Sequence, residues 1–83
     1  MKFRIGVRVM PRREVLDIQG RAVQETLSRH GRELSECRIG KYVELELEAS
    51  NKDEALNKAR EISRFVLHNP LIETFAVEEL TNP

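Results

Sequence analysis

Phe3, Ile5, Val7 and Val9 share one parity near the start of the chain, and Lys2, Arg4, Gly6 and Arg8 share the other. This period of two predicts a strand over residues 2–9 with one covered face. Pro11, Arg12 and Arg13 are expected to end it, since Pro has no amide hydrogen for a ladder and restricts the residue before it. A loop follows to about Leu16. Asp17 is placed to cap a helix over residues 18–30, because its carboxylate can accept from first-turn amides and its charge suits the positive helix end. Leu16, Gly20, Val23 and Leu27 would form the buried stripe of that helix, and Gly31 the left-handed residue that ends it.

Cys37, Ile39, Val43, Leu45 and Leu47 again share a parity, opposite Glu44, Glu46 and Glu48, so residues 37–49 read as one long strand or a bent pair. Lys41 alone spoils its apolar face. Ser50 with Asp53 resembles a capping box, and Ala55, Ala59, Ile62 and Val66 recur at helical spacing until Asn69 and Pro70 stop the helix. A last strand over residues 72–80 would turn Phe75 and Val77 inward.

Strand, helix, strand, helix, strand in one domain spanning 1–83 predicts a ferredoxin-like α+β two-layer sandwich, an antiparallel sheet with two helices on one face. The outer sheet face and the sheet edges are left without cover, and both are places where a small domain pairs with another copy. That outer face would carry Arg4, Arg8, Glu44, Glu46 and Glu48, so pairing there would rest on opposite charges as well as on packing.

Composition sharpens this expectation. A domain of 83 residues removes only roughly 60 to 65% of its unfolded surface on folding, and such cores are commonly supplemented by a disulfide, a metal or a partner. The lone Cys37 excludes an internal disulfide, and with His30 and His68 it cannot build a four-ligand zinc cage. A homodimer or a dimer of dimers is the supplement left. Fourteen basic residues balance 14 acidic ones, interspersed along the chain. With no positive surplus and few aromatics, nucleic acid is not an expected partner. The sequence opens without a signal-peptide apolar block and has no apolar run of bilayer length, so the expectation is a cytoplasmic protein with no membrane partner.

No glycine-rich phosphate loop, GxSxG, HExxH or CxxC is present. Cys37 is expected to be a packed, inert thiol by its parity, although a small enzyme working through Cys37 and a His is a third reading. His30 and His68 are expected in the last turns of their helices, where a positive charge suits the dipole. The alternating Glu run reads as a solvated or partner-facing surface. Two segments are unusual. In Arg38-Ile39-Gly40-Lys41-Tyr42, a Gly and a Lys interrupt an apolar face, so the backbone must bend or Lys41 must meet an acceptor. In Asp17-Ile18-Gln19-Gly20, a Gly stands in a first helical turn, where it costs about 1 kcal/mol against Ala and signals close backbone approach.

These segments carry a resemblance. Val15-Leu16-Asp17, Gln19-Gly20-Arg21-Ala22-Val23, Arg38-Ile39-Gly40-Lys41-Tyr42 with Glu44-Leu45, and Asn69-Pro70 with Ile72-Glu73 resemble, in order and spacing, the PurS family, the small subunit of phosphoribosylformylglycinamidine (FGAM) synthase. Ile18 departs from the family pattern, which has Pro after the Asp; Ile reaches the same conformation at a modest entropic cost.

The resemblance implies a non-catalytic subunit of a glutamine- and ATP-dependent C–N ligase in purine biosynthesis. A glutaminase subunit would release ammonia, and a synthetase subunit would use ATP and Mg to activate the substrate amide. This subunit would hold no cofactor of its own, bridge the two and support ammonia transfer. Arg38, Gly40, Lys41, Tyr42, Asp17, Gln19 and Gly20 are the candidates for a subunit interface or ammonia path; no catalytic residue and no metal ligand is expected. The alternative from another class is a stand-alone dimeric ferredoxin-like regulatory domain that binds a small ligand.

Overall fold

The computed structural model describes residues 1–80, so the last part of the expected 1–83 domain, residues 81–83, lies outside the described residues. The elements are β1 (Lys2–Pro11), α1 (Ile18–Arg29), β2 (Lys41–Glu48), α2 (Lys52–Ile62) continued by a π turn at Ser63–Leu67, and β3 (Glu73–Glu79). The sheet is antiparallel in the order β2-β1-β3, which with the two helices gives the α+β class expected from the pattern.

As the period-two reading requires, Ile5, Val7 and Val9 on β1 are fully buried. They face α2, where Ala55 and Ala59 are also fully buried; the small side chains allow close approach of the helix, and Phe3, Leu45, Leu47, Leu56 and Val77 close around it. On the outer face Arg4 lies 3.8 Å from Glu44 and 3.5 Å from Glu46, and Lys2 lies 3.7 Å from Glu46. These exposed charges already have partners within the sheet, and such pairs contribute little to stability.

Several local expectations are corrected. β1 does not stop before Pro11. Alternate β1 amides face β3 and β2; Arg12 donates to the Ile72 carbonyl at 2.7 Å, so Pro11 points its missing donor toward β2. Pairing with β2 has ended one step earlier, at Val9 opposite Lys41, and no ladder bond is lost. Only residues 41–48 of the expected strand 37–49 are strand; residues 37–40 peel away where β1 offers no amide. The cap of α2 is Asn51, whose side chain accepts from the Glu54 amide at 2.9 Å, rather than Ser50.

The C-terminal half of the α2 stripe is also corrected. Ser63, in register with Ala55 and Ala59, is fully buried, and Ile62 and Val66 are exposed. The Ser63 hydroxyl donates to the Ala59 carbonyl at 2.7 Å, which loosens the helical ladder there. His68 therefore lies beyond the turn rather than in it; its Nδ1 is 2.8 Å from the Ser63 carbonyl, and its ring meets Phe75 edge-on at 4.6 Å. His30 is the residue that closes α1, and Gly31 has the expected positive φ of 75°.

The stripe expected on α1 is not buried. Leu16 is 64% exposed, Val23 is exposed, Leu27 is half-buried, and Gly20 is the one buried residue of the helix. The helical layer over the sheet is α2, while α1 stands off at the end where β2 begins. The chain measures 50 × 32 × 15 Å with a radius of gyration of 16.0 Å, against about 12 Å for a compact chain of this length.

Candidate functional site

Asp17 joins the two unusual segments. One carboxylate oxygen accepts from the Gly20 amide at 2.8 Å, as a cap should. The other accepts from the Ile39 amide at 2.7 Å. These two backbone donors, Gly20 first, hold the Asp17 carboxyl below its usual range, with help from the nearby Arg38 charge and against partial desolvation.

Both glycines are explained by the same junction. A Cβ on Gly20 would collide with the Cys37 carbonyl oxygen and with the Asp17 carboxylate, so the helix start and the 37–40 segment touch backbone to backbone. A Cβ on Gly40 would collide with the Val9 carbonyl oxygen and the Met10 sulfur, where the chain crosses β1 to enter β2. Arg38 donates from Nη2 to the Pro11 carbonyl and lies 3.9 Å from Glu36. Gly40 is thus a crossing point, and no bulge forms in β2.

Between α1 and the sheet end lies an open groove of about 340 Å³, walled by Pro11, Val15, Leu16, Ile18, Ile39 and Ile72, with Gln19, Lys41 and Glu73 at its polar positions. Glu73 is engaged, accepting from the Asn69 amide at 2.7 Å. Lys41 is exposed, on the α2 side of the sheet beside buried Val9, and makes no ion pair among the described residues. A second cleft, of about 440 Å³, lies on the other side of Asp17 and includes Arg12, Arg13, Arg21, Glu36 and half-buried Cys37. Its charges are largely matched: Arg13 reaches Glu36 at 3.1 Å, and Arg12 donates to the Pro70 carbonyl at 2.9 Å.

Six of the seven candidates therefore gather at one end of the fold: Asp17, Gln19, Gly20, Arg38, Gly40 and Lys41. Tyr42 does not join them. It lies on the opposite face of the sheet, its phenol over Gly6, where any Cβ would strike the hydroxyl, and it donates to Glu78 at 3.0 Å. Arg8 meets the same carboxylate at 3.4 Å. Desolvation, followed by the hydrogen bond and charge of Glu78, raises the Tyr42 pKa.

The sequence reading missed one surface. Ile62, Phe65 and Val66 form, with Leu47 and the rim residues Lys58 and Glu61, an exposed apolar concavity of about 340 Å³, and Phe65 is 87% exposed. The signal was available, because Ser63 continues the four-residue spacing of Ala55 and Ala59 and displaces the larger side chains from the core. Among the described residues no group of three His, Cys, Asp or Glu side chains is placed to hold a metal, and no helix is long and apolar enough to cross a membrane.

The junction defines a small α+β unit whose distinctive residues fix backbone to backbone and present open apolar surfaces. The family described as PurS, phosphoribosylformylglycinamidine (FGAM) synthase, matches residues 4–80. A phosphoribosylformylglycinamidine synthase subunit PurS of Bacillus subtilis is 38% identical over 77 residues, covering 92% of this chain and 90% of that one. The crystal structure of the Thermotoga maritima purS subunit superposes with a TM-score of 0.90 at 31% identity, covering 96% of this chain and 93% of that one. A chain of the PurLQS structure from the same organism gives 0.89 at 31% identity, covering 96% and 99%. The chain belongs to the PurS family.

Proposed function

We propose that this protein is the non-catalytic small subunit of FGAM synthase in purine biosynthesis. It joins a glutaminase subunit to an ATP- and Mg-dependent synthetase subunit, and seals the passage of ammonia between them. The observation that carries this reading is the groove: an apolar concavity, built by the residues of the family-like segments, with an ammonium at its mouth that makes no ion pair among the described residues. Apolar walls around an unmatched charge suit a protein surface that brings an acceptor, such as a carboxylate or a set of backbone carbonyls. The similarity to a PurLQS chain agrees with such a role. Arg38, Gly40 and Asp17 shape the groove, Gln19 and Lys41 meet the neighbour, and Tyr42 serves the opposite sheet face. The setting is the cytoplasm, with ATP and Mg held by the large subunit.

A homodimer or dimer of dimers is part of the reading. The chain exposes 6219 Å², where a compact monomer of its mass exposes about 5,100 Å². The excess of about 1,100 Å² exceeds one partner's share of a standard interface, about 800 Å².

The test is Lys41→Met in the three-subunit mixture. Removal of the ammonium without loss of the stem should leave the melting temperature near that of the parent and lower the ratio of the glutamine-dependent rate to the rate driven by added ammonium salt. Equal loss of both rates in an assembled complex contradicts a transfer role, and unchanged rates would show that Lys41 merely reaches into solvent.

A further inference from the structure

We infer that Asp17 is the positioning residue of this subunit, the tie that sets how far α1 stands from Lys41 and so fixes the width of the groove. The inference rests on the bridging role proposed above and adds the residue that preorganises the surface for it. The side chains of α1 do little to hold it on the sheet, since Gly20 is its one buried residue. Midway along the helix Gln24 donates to the Leu34 carbonyl of its own exit loop at 2.8 Å.

The near end is tied to the β2 entry by two contacts. Asp17 accepts from the Ile39 amide at 2.7 Å, and Gly20 lies against the Cys37 carbonyl. The groove walls come from the two sides of this tie: Leu16, Ile18 and Gln19 from the helix start, and Ile39, Gly40 and Lys41 from the entry to β2. The second side is anchored to β1 independently, by Arg38 on the Pro11 carbonyl and by Gly40 against Val9. Without the Asp17–Ile39 bond, the β2 entry stays on the sheet while α1 loses the only hydrogen bond described between it and that segment. Lys41 then no longer stands at a fixed distance from Gln19 and Ile18. A carboxylate suits this position because both its oxygens accept, so one side chain caps the helix and holds the segment at once.

Asp17→Asn separates the two duties. Its amide oxygen still caps Gly20, since Asn is as good a cap as Asp, but its amide nitrogen is a donor and faces the Ile39 donor. Asp17→Ser is the second variant: it caps the helix but is too short to reach Ile39. Hydrogen exchange on the isolated subunit should show Ile39 protection falling about tenfold or more in both variants, the loss of one charge-assisted hydrogen bond. Protection at Gly20 and the helical circular dichroism should hold. In the three-subunit mixture the ratio of glutamine-dependent to ammonium-driven synthesis should fall with it, a change that a purely stabilising cap would not produce. Undiminished Ile39 protection in Asp17→Asn, or a parental rate ratio despite lost protection, overturns the inference. If the parent chain itself confers no glutamine-dependent synthesis, the bridging reading fails, and the Ile39 exchange then decides the tie alone.

Discussion

At the scale of single residues, three glycines mark where another group needs the space of a side chain: Gly6 beneath Tyr42, Gly20 against Cys37, and Gly40 against Val9. Gly6 gives the cleanest test, because Tyr42 is the sole tyrosine and the chain has no tryptophan. Gly6→Ala must lift the phenol off β1. The lost hydrogen bond to Glu78 is solvent-exposed and costs little, and Ala recovers roughly 0.5–1 kcal/mol over Gly in a strand, so stability should change little. The titration of Tyr42 should change more. Its folded pKa is raised, so its contribution to stability is present below the unfolded value near 10.0 and fades as pH rises through the folded value. Ultraviolet titration should show the Tyr42 midpoint falling toward 10.0 in Gly6→Ala; an unchanged midpoint would mean that the phenol never depended on the glycine.

At the scale of elements, local patterning and tertiary demand can be separated. β1 and β3 were legible, because alternation reports burial directly and Phe75 and Val77 do turn inward. The first half of α2 was legible for the same reason. Its second half was legible in spacing, since Ser63 continues the series of Ala55 and Ala59, but not in hydrophobicity, which ranks Ile62 and Val66 above Ser63 for the core; the helix sits so close to the sheet that small residues line its contact. Ala59→Leu should therefore overpack that line, costing about 1–3 kcal/mol and lowering the melting temperature by roughly 4–8 °C per kcal/mol, as read by calorimetry. A variant as stable as the parent would show that α2 can move away and that the small stripe is incidental. The junction was half legible: Gly20 and Lys41 announced something unusual, but the Asp17–Ile39 bond spans 22 residues of sequence and leaves no periodic trace. Tyr42 follows Lys41 directly, and strand alternation alone places it on the other face.

At the scale of the whole molecule, α1 and the Phe65 concavity leave apolar surface uncovered that a free monomer does not ordinarily retain. Sedimentation of the isolated protein should therefore give a species of at least two chains at micromolar concentration, and a well-folded monomer would contradict the oligomer. In the proposed complex a sealed passage matters because neutral ammonia, the nucleophile of the proposed transfer, is scarce beside ammonium in neutral water. A subunit with the proposed sealing role would contribute to glutamine-dependent synthesis without itself reacting. The most direct measurement is FGAM formation by the glutaminase and synthetase subunits with and without this chain, driven in turn by glutamine and by ammonium salt. Adding this chain should restore the glutamine-dependent rate far more than the ammonium-driven one, and the chain alone should turn over neither glutamine nor ATP. Full glutamine-dependent synthesis in its absence would contradict the proposed bridging role.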